Sequence, residues 1–180
     1  MDEYPSGLLV GALIILIFLS AFFSSSETGM VALNRYRLRH LSRQGNRSAK
    51  RVEKMLERPD RLLGVILVGN NLVNNAAATL AALLGLYWLG ELGTALAPIV
   101  ITILMLIFAE VTPKTYAAMR PEKVAFPASL ILKPLQWLFT PVVWTVNSIG
   151  NLILRMFGVR PEQQDEDHLS PEELRTVVNE

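Results

Sequence analysis

Residues 4–26 read YPSGLLVGALIILIFLSAFFSSS and contain no charged side chain. Residues 62–90, 92–109 and 134–154 are equally free of Asp, Glu, Lys and Arg. The hydrocarbon core of a bilayer is about 30 Å thick, and a helix needs about 20 apolar residues to cross it. Repeated stretches of this length in a chain of 180 residues predict an all-α membrane protein.

The overall composition argues against several other classes of protein. The net charge is only +1 and the basic residues gather beside the apolar stretches, so we expect no nucleic-acid partner. The absence of cysteine excludes disulfides, zinc–thiolate sites and cysteine nucleophiles. His40 and His168 lie far apart in charged segments. Because no nucleophile–base pair is evident either, we do not expect an enzyme.

The distribution of basic residues predicts the orientation of the helices, because cytoplasmic loops are enriched in Lys and Arg. No Lys or Arg precedes the first apolar stretch, which therefore also differs from a cleaved signal peptide. The segment 34–61 is strongly basic, whereas the link at 90–93 carries only Glu91. We therefore predict three transmembrane helices with the N-terminus outside. The bases of segment 34–61 are Arg35, Arg37, Arg39, Arg43, Arg47, Lys50, Arg51, Lys54, Arg58 and Arg61.

The fourth apolar region, residues 124–157, has a different character. Lys123 precedes it and Arg155 lies near its end, so both ends are expected at the cytoplasmic face. Three prolines recur in it, and proline kinks or ends a helix. They are Pro127, Pro134 and Pro141. We predict broken helices that lie at the cytoplasmic face or re-enter from it; the alternative is a fourth span that places the C-terminus outside.

Two further segments are expected on the cytoplasmic side. In segment 34–61, the apolar residues Val52, Met55 and Leu56 follow helical spacing, so an interfacial helix could lie along the anionic inner leaflet. The alternative is a solvated basic segment that only sets topology.

We predict two parts in the chain. Residues 1–160 form a transmembrane transport domain with its juxtamembrane helices. Residues 161–180 form an acidic linker, with a helix start at Ser170, toward a further cytoplasmic domain.

Three polar clusters interrupt the apolar stretches. They are SAFFSSSET at residues 20–28, GNNLVNN at residues 69–75 and EVTPK at residues 110–114. Because successive helices alternate in direction, we predict that the clusters lie at a similar depth in the inner half of the membrane. Polar and ionisable groups in hydrocarbon are expensive and mark ion pathways. Hydroxyl, amide and carboxylate oxygens are hard ligands that suit Mg²⁺ or Na⁺.

Each cluster also has a plainer interpretation. Serine and asparagine side chains often pack or hydrogen-bond between membrane helices without binding an ion. Glu27 could meet water or the arginines that follow it, although it and the neighbouring serines are also candidates for Na⁺. Lys114 lies four residues after Glu110 and is a simple ion-pair partner for it on one helix face.

The three clusters resemble the three helix motifs of the CorC/cyclin-M family of magnesium transporters, in order and in spacing, with a basic segment after the first. The resemblance covers about residues 5–160, and the chain looks similar to the bacterial CorC branch. It implies three transmembrane helices, a belt of cytoplasmic-side juxtamembrane helices and a homodimer. It also implies a nucleotide-binding pair of CBS modules after the membrane domain, so nucleotide would act only through that additional domain.

The resemblance further implies Mg²⁺ export across the inner (plasma) membrane, coupled to Na⁺ entry by alternating access. Mg²⁺ and Na⁺ are then transported ions, and the lipid bilayer and a second copy of the chain are the other partners. A Mg²⁺ channel and a Mg²⁺-sensing regulatory protein are the alternative functions. The implied Mg²⁺ ligands are Ser24, Asn70 and Glu110, with Ser20, Ser25, Gly69 and Asn74 as further candidates.

Overall fold

A computed structural model describes residues 6–158, which form helices and no strand. The all-α prediction is therefore confirmed for this part of the chain. The helices are α1 (Ser6–Ala32), α2 (Arg35–Arg43), α3 (Arg47–Met55), α4 (Pro59–Leu89), α5 (Glu91–Met105), a π-helical segment (Leu106–Val111), α6 (Thr112–Met119) and α7 (Pro121–Met156). The predicted linker at 161–180 lies outside the described residues.

Four helical segments are long and apolar enough to cross a membrane, judged by length and composition. They are Ser6–Ala32, Pro59–Leu89, Glu91–Met119 and Pro121–Met156. The first three correspond to the predicted transmembrane helices, with the third running without interruption through α5, the π-helical segment and α6. The predicted number of three spans is not confirmed, since α7 qualifies as well. The predicted orientation stays a prediction.

The prediction of broken helices in residues 124–157 is wrong, because α7 is one continuous helix from Pro121 to Met156. Each proline removes only one backbone donor, and the turns between prolines retain their own hydrogen bonds. Threonine hydroxyls add bonds to the carbonyls near these sites: Thr145 Oγ1 donates to the Pro141 carbonyl at 2.8 Å. Membrane helices tolerate proline where side chains of this kind reinforce the backbone.

The chain divides into two compact units, Met1–Thr140 and Pro141–Glu180. In the second unit, the described residues 141–158 are the last turns of α7 and a short turn, and most of their side chains are exposed. The first unit contains all the polar clusters and every predicted site residue. Its geometry therefore carries the functional interpretation.

The short basic helices α2 and α3 pack on protein through their apolar residues. Asn34 and Asn46 begin the two helices, since each side-chain oxygen accepts hydrogen bonds from backbone N–H groups two and three residues later. Val52 and Met55 of α3 are buried together with Met30 of α1 in one apolar cluster. This apolar side is covered by the protein, so the interpretation in which it faces the inner leaflet is wrong.

Two polar contacts join these basic helices to the start of α7. The Arg37 guanidinium lies 2.7 Å from a Glu122 carboxylate oxygen. Arg51 donates to the hydroxyl of the fully buried Ser129 at 3.2 Å. The pair Arg37–Glu122 is mainly exposed and contributes little stability, whereas Arg51 bonds to a group that has no access to solvent. Helices α2 and α3 therefore belong to the folded body of the first unit.

Helices α4 and α5 form a tight hairpin that places the third polar cluster beside the second. Gly90 makes the turn with a φ of 67°, in the left-handed region that favours glycine. Gly85 and Gly93 then meet across the hairpin so closely that a Cβ on either would collide with the carbonyl of the other. Small residues permit this approach between membrane helices. Farther along, Ala77 and Ala81 of α4 pack with Ile101 of α5.

Candidate cation site

The structure brings side chains from all three polar clusters into one hydrogen-bonded group. Helix α1 contributes Ser20 and Ser24, helix α4 contributes Asn70 and Asn74, and the π-helical segment contributes Glu110. We call these five residues the oxygen cluster. The residues lie far apart in the sequence, and the two serine side chains are fully buried. The structure therefore assembles five of the seven predicted ligands at one place.

The hydroxyl of Ser20, on α1, contacts both asparagines that α4 contributes to the oxygen cluster. Its hydroxyl lies 2.7 Å from Asn74 Oδ1 and 3.2 Å from Asn70 Oδ1. A hydroxyl has one proton, so it can donate fully to only one of these two acceptors at a time. Ser20 Oγ and the two amide oxygens thus share a single proton, so one of the two amide oxygens lacks a full hydrogen bond from Ser20. Such an excess of acceptors is what a bound cation would neutralise.

Glu110 holds the opposite side of the oxygen cluster. Ser24 Oγ donates to Glu110 Oε2 at 3.0 Å, and Asn70 Nδ2 donates to Glu110 Oε1 at 3.3 Å. The carboxylate is therefore fixed by one donor from α1 and one from α4. These bonds to a charged acceptor are stronger than bonds between neutral groups.

The backbone around Glu110 departs from a regular α-helix. Residues 106–111 form a π-helical turn, and the N–H of Thr112 bonds to the carbonyl of Ile107, five residues back. Pro113 follows directly and has no N–H to continue the ordinary ladder. Ala109 within the turn is fully buried, in an apolar cluster that also contains Met105 and partly buried residues of α1. Single π-helical turns are frequent at functional sites, and this one carries the carboxylate of the oxygen cluster.

Two predicted ligands have other contacts. Ser25 Oγ donates to the Phe22 carbonyl of its own helix at 3.1 Å and makes no bond to the oxygen cluster. Gly69 is buried against the ring of Phe23: a Cβ added at this position would lie 2.5 Å from two of the ring carbons. The visible role of Gly69 is thus to let α4 approach α1.

Only half of the asparagines in α4 face the oxygen cluster. Asn71 and Asn75 are exposed on the other side of the helix. Asn71 Nδ2 donates to the Leu67 carbonyl at 2.9 Å, and the Asn75 carbonyl accepts from Thr79. Sequence spacing placed the two pairs on neighbouring faces, and the packing of α1 selects the pair formed by Asn70 and Asn74.

A lysine lies against the Glu110 carboxylate, and only one of its two ion pairs is predictable from the spacing of the residues. Lys114 Nζ is 3.1 Å from Glu110 Oε2 and 3.5 Å from Glu27 Oε2. The pair with Glu110 follows from its i,i+4 spacing, which the sequence displays. The pair with Glu27 joins α6 to α1, and nothing in the spacing of these two residues along the sequence predicts it. The side chains of Lys114, Glu27 and Glu110 are 41%, 45% and 23% exposed, so this end of the site is open.

The side chains of the oxygen cluster offer only hard oxygen donors. Within residues 6–158, no three His, Cys, Asp or Glu side chains come together. The available ligands are hydroxyl and amide oxygens with one carboxylate. Such a set suits Mg²⁺ or Na⁺ and offers nothing to a soft transition metal.

Four apolar helices and an oxygen cluster between three of them define a multi-pass membrane protein with a polar site inside its apolar helices. The chain belongs to the cyclin M family, because residues 11–180 match the cyclin M transmembrane N-terminal domain. The resemblance recognised from the three motifs is confirmed at the level of this family.

Named relatives support the same assignment. The chain is 54% identical, over 162 residues, to the UPF0053 inner membrane protein YfjD of Escherichia coli K12, covering 90% of this chain and 38% of the relative. It is 47% identical, over its whole length, to a UPF0053 protein of Haemophilus influenzae, covering 43% of that protein. A polyamine export protein of Salmonella typhimurium is 32% identical, over 91% of this chain and 39% of its own length.

The chain spans about two fifths of the length of these relatives. The predicted location, a multi-pass protein of the inner membrane, is confirmed by the family and by the relative of that name. The family is also consistent with the expectation that the chain is not an enzyme.

Proposed function

We propose that this chain is the membrane domain of a transporter that exports Mg²⁺ across the inner membrane. The observation that carries the proposal is the oxygen cluster, in which hydroxyl, amide and carboxylate groups of three helices are joined by hydrogen bonds. Ser24, Asn70 and Glu110 are the principal proposed ligands, and Ser20 and Asn74 complete the set. In the proposed cycle, Mg²⁺ enters from the cytoplasm, binds these oxygens and leaves on the outer side after the helices rearrange.

The donor set supports a small hard ion as the substrate. Mg²⁺ favours six oxygens and commonly retains several of its waters. A single carboxylate among neutral oxygens would bind such a partly hydrated ion and still permit its release. The open end of the site at Glu27 and Lys114 would provide an entrance for the waters that travel with the ion.

Na⁺ entry is the proposed driving reaction. Na⁺ is also a hard cation and could take the same oxygens once Mg²⁺ has left. Two Na⁺ ions exchanged for one Mg²⁺ would move no net charge. Any other ratio would couple transport to the membrane potential, with about 2.3 kcal/mol per net charge for each 100 mV.

Polyamine export is the second candidate, and it rests on a different observation. Relatives of this chain are named polyamine export proteins. In the site, the alkylammonium of Lys114 lies between the carboxylates of Glu27 and Glu110. The ammonium end of a polyamine has the same chemistry and could occupy the same position. The compact arrangement of Ser20, Asn70 and Asn74 favours the metal ion.

The assembly and its regulation are also proposed. We expect a homodimer in the bilayer, and we expect nucleotide to act through cytoplasmic CBS modules of the complete protein. Because the chain spans about two fifths of its relatives, transport is best tested in the complete protein as well as in this membrane domain.

The deciding experiment is ion flux into proteoliposomes. Mg²⁺ flux is measured with and without an opposing Na⁺ gradient, and spermidine flux is measured in parallel. The variant Glu110→Ala removes the carboxylate of the oxygen cluster, and Asn71→Ala changes an exposed residue as a matched control. Flux of Mg²⁺ that needs Na⁺ and disappears only in Glu110→Ala is the expected result.

Each other result has a definite meaning. Mg²⁺ flux that ignores Na⁺ would make the protein a channel. Binding of Mg²⁺ by the complete protein without any flux would make it a sensor. Flux of spermidine in the absence of Mg²⁺ flux would establish the second candidate and contradict the first.

A further inference from the structure

We propose that the Lys114 ammonium is a tethered cation that occupies the Glu110 carboxylate in the ion-free protein and retreats to Glu27 when a metal ion binds. The inference rests on the proposed function and concerns the selectivity of the same site. Lys114 would then set how tightly a divalent ion is held relative to a monovalent one.

The contacts of Glu110 show what an incoming ion must displace. Oε2 has Lys114 Nζ at 3.1 Å and Ser24 Oγ at 3.0 Å, and Oε1 has Asn70 Nδ2 at 3.3 Å. Both oxygens of the carboxylate are therefore occupied by donors. The ammonium is the charged one among these three donors, so it competes with a cation for the same negative group.

Glu27 supplies the position to which the ammonium can retreat. Its Oε2 is 3.5 Å from Lys114 Nζ, so the ammonium already lies between two carboxylates. Lysine has a flexible stem and three donors, and the Lys114 side chain is 41% exposed. A small change of rotamer would break the contact with Glu110 and retain the contact with Glu27. The ammonium would thus never lose a carboxylate partner.

The charges give this arrangement a specific consequence. Glu27, Glu110 and Lys114 together carry one net negative charge, whereas the two carboxylates alone carry two. The repulsion between the ammonium and a bound ion is proportional to the charge of that ion. The repulsion from Lys114 therefore opposes Mg²⁺ twice as strongly, in free energy, as it opposes Na⁺, whereas displacing the ammonium from Glu110 costs the same for both ions. An exchanger needs such a balance, because Na⁺ must be able to replace a divalent ion.

The test measures binding of MgCl₂ alone and of NaCl alone to the purified complete protein, with choline chloride keeping the ionic strength constant. Ligand-dependent thermal stabilisation gives both Kd values. The variant Lys114→Met removes the charge and keeps the length of the side chain. We expect its Kd to fall for both ions, and to fall about tenfold further for Mg²⁺ than for Na⁺, because the lost repulsion is twice as large for the divalent ion. Lys123→Met removes the same charge from an exposed position on α7 and should change neither Kd.

A second variant distinguishes the proposed effect from a folding defect. Glu27→Gln leaves Glu110 as the one carboxylate near Lys114, so the ammonium is held more firmly there and Mg²⁺ should bind about tenfold more weakly. A folding defect would weaken Mg²⁺ binding in both variants, whereas the proposal requires changes of opposite sign.

The inference is overturned if wild type binds Mg²⁺ and Lys114→Met binds it no more tightly, or if Na⁺ and Mg²⁺ gain by equal factors. If neither wild type nor Lys114→Met binds Mg²⁺, the proposed function itself is contradicted and the inference falls with it.

Discussion

Asn70 Nδ2 donates to Glu110 Oε1 at 3.3 Å, while Oδ1 of the same amide shares the proton of the Ser20 hydroxyl with the nearer Asn74 Oδ1. One side chain on α4 therefore connects α1 with the π-helical segment. The amide uses both ends, so a hydrophobic residue or a carboxylate in its place could not make the same pair of bonds. Asn70 is thus the central member of the oxygen cluster.

Asn70→Ala should impair ion binding far more than the adjacent Asn71→Ala. The first change removes a proposed ligand and a donor to a carboxylate, and a hydrogen bond to a charged group contributes about 1.5–3 kcal/mol. We expect Mg²⁺ affinity to fall about tenfold to a hundredfold, measured as Mg²⁺-dependent thermal stabilisation. Asn71 is exposed and bonds within its own helix, so its removal should have little effect. Equal losses in the two variants would contradict the assignment of Asn70 to the site.

Gly69→Ala should destabilise the contact between α1 and α4. The added methyl would lie 2.5 Å from carbons of the buried Phe23 ring, so the ring or a helix must shift. Overpacking of this kind costs about 1–3 kcal/mol. Thermal unfolding in detergent measures the loss, and Gly11→Ala is the control because a Cβ there meets nothing within 4 Å. A double variant with Phe23→Leu should recover part of the stability; an unchanged melting temperature for Gly69→Ala alone would rule out the close contact.

The burial of Val52 predicts a structural role for α3. Its side chain is fully buried in the apolar cluster that includes Met30 and Leu62. Val52→Ala should therefore destabilise the protein by about 1–3 kcal/mol. Lys50→Ala on the exposed side of the same helix should be nearly neutral. Thermal unfolding in neutral detergent, where no anionic lipid is present, measures the loss; an unchanged melting temperature for Val52→Ala would contradict the structural role of α3.

Much of the site was predictable from the sequence because the membrane limits the geometry. In helices that alternate in direction, the end of one lies at the same depth as the start of the next, and this places Ser20, Asn70 and Glu110 near one another. The choice of Asn70 over Asn71 came from the family resemblance and not from helical spacing, because both lie on the polar side of α4 and only the position of α1 distinguishes them. The contact between Glu27 and Lys114 likewise depends on how two helices meet.

For α7 the sequence led to a wrong prediction, because the rule that proline kinks or ends a helix was applied to each proline separately. Pro127, Pro134 and Pro141 each remove one hydrogen bond, and the sequence alone gives no measure of how much the surrounding turns compensate. The structure retains a continuous helix. The apolar side of segment 34–61 was also predicted, but its burial in a cluster with Met30, Leu62 and Leu132 depends on tertiary packing that spacing does not encode.

The two ends of α7 offer the decisive test of the number of spans. The positive-inside bias predicts that Lys123 and Met156 lie on the same, cytoplasmic side, although α7 is long enough to cross the membrane. Because the chain has no cysteine, single-cysteine variants can be labelled without background. We expect Lys123→Cys and Met156→Cys to react with a membrane-impermeant maleimide in inside-out vesicles and not in intact spheroplasts. Glu91→Cys should react in spheroplasts, as the reference for the outer side.

The opposite pattern would have an equally clear meaning. Labelling of Met156→Cys in spheroplasts, with Lys123→Cys still protected, would make α7 a fourth transmembrane helix. The C-terminal segment would then lie outside, where neither cytoplasmic nucleotide nor a cytoplasmic domain could reach it. That result would contradict the three-span topology and the proposed control through cytoplasmic modules together, while the oxygen cluster between α1, α4 and the π-helical segment would be unaffected.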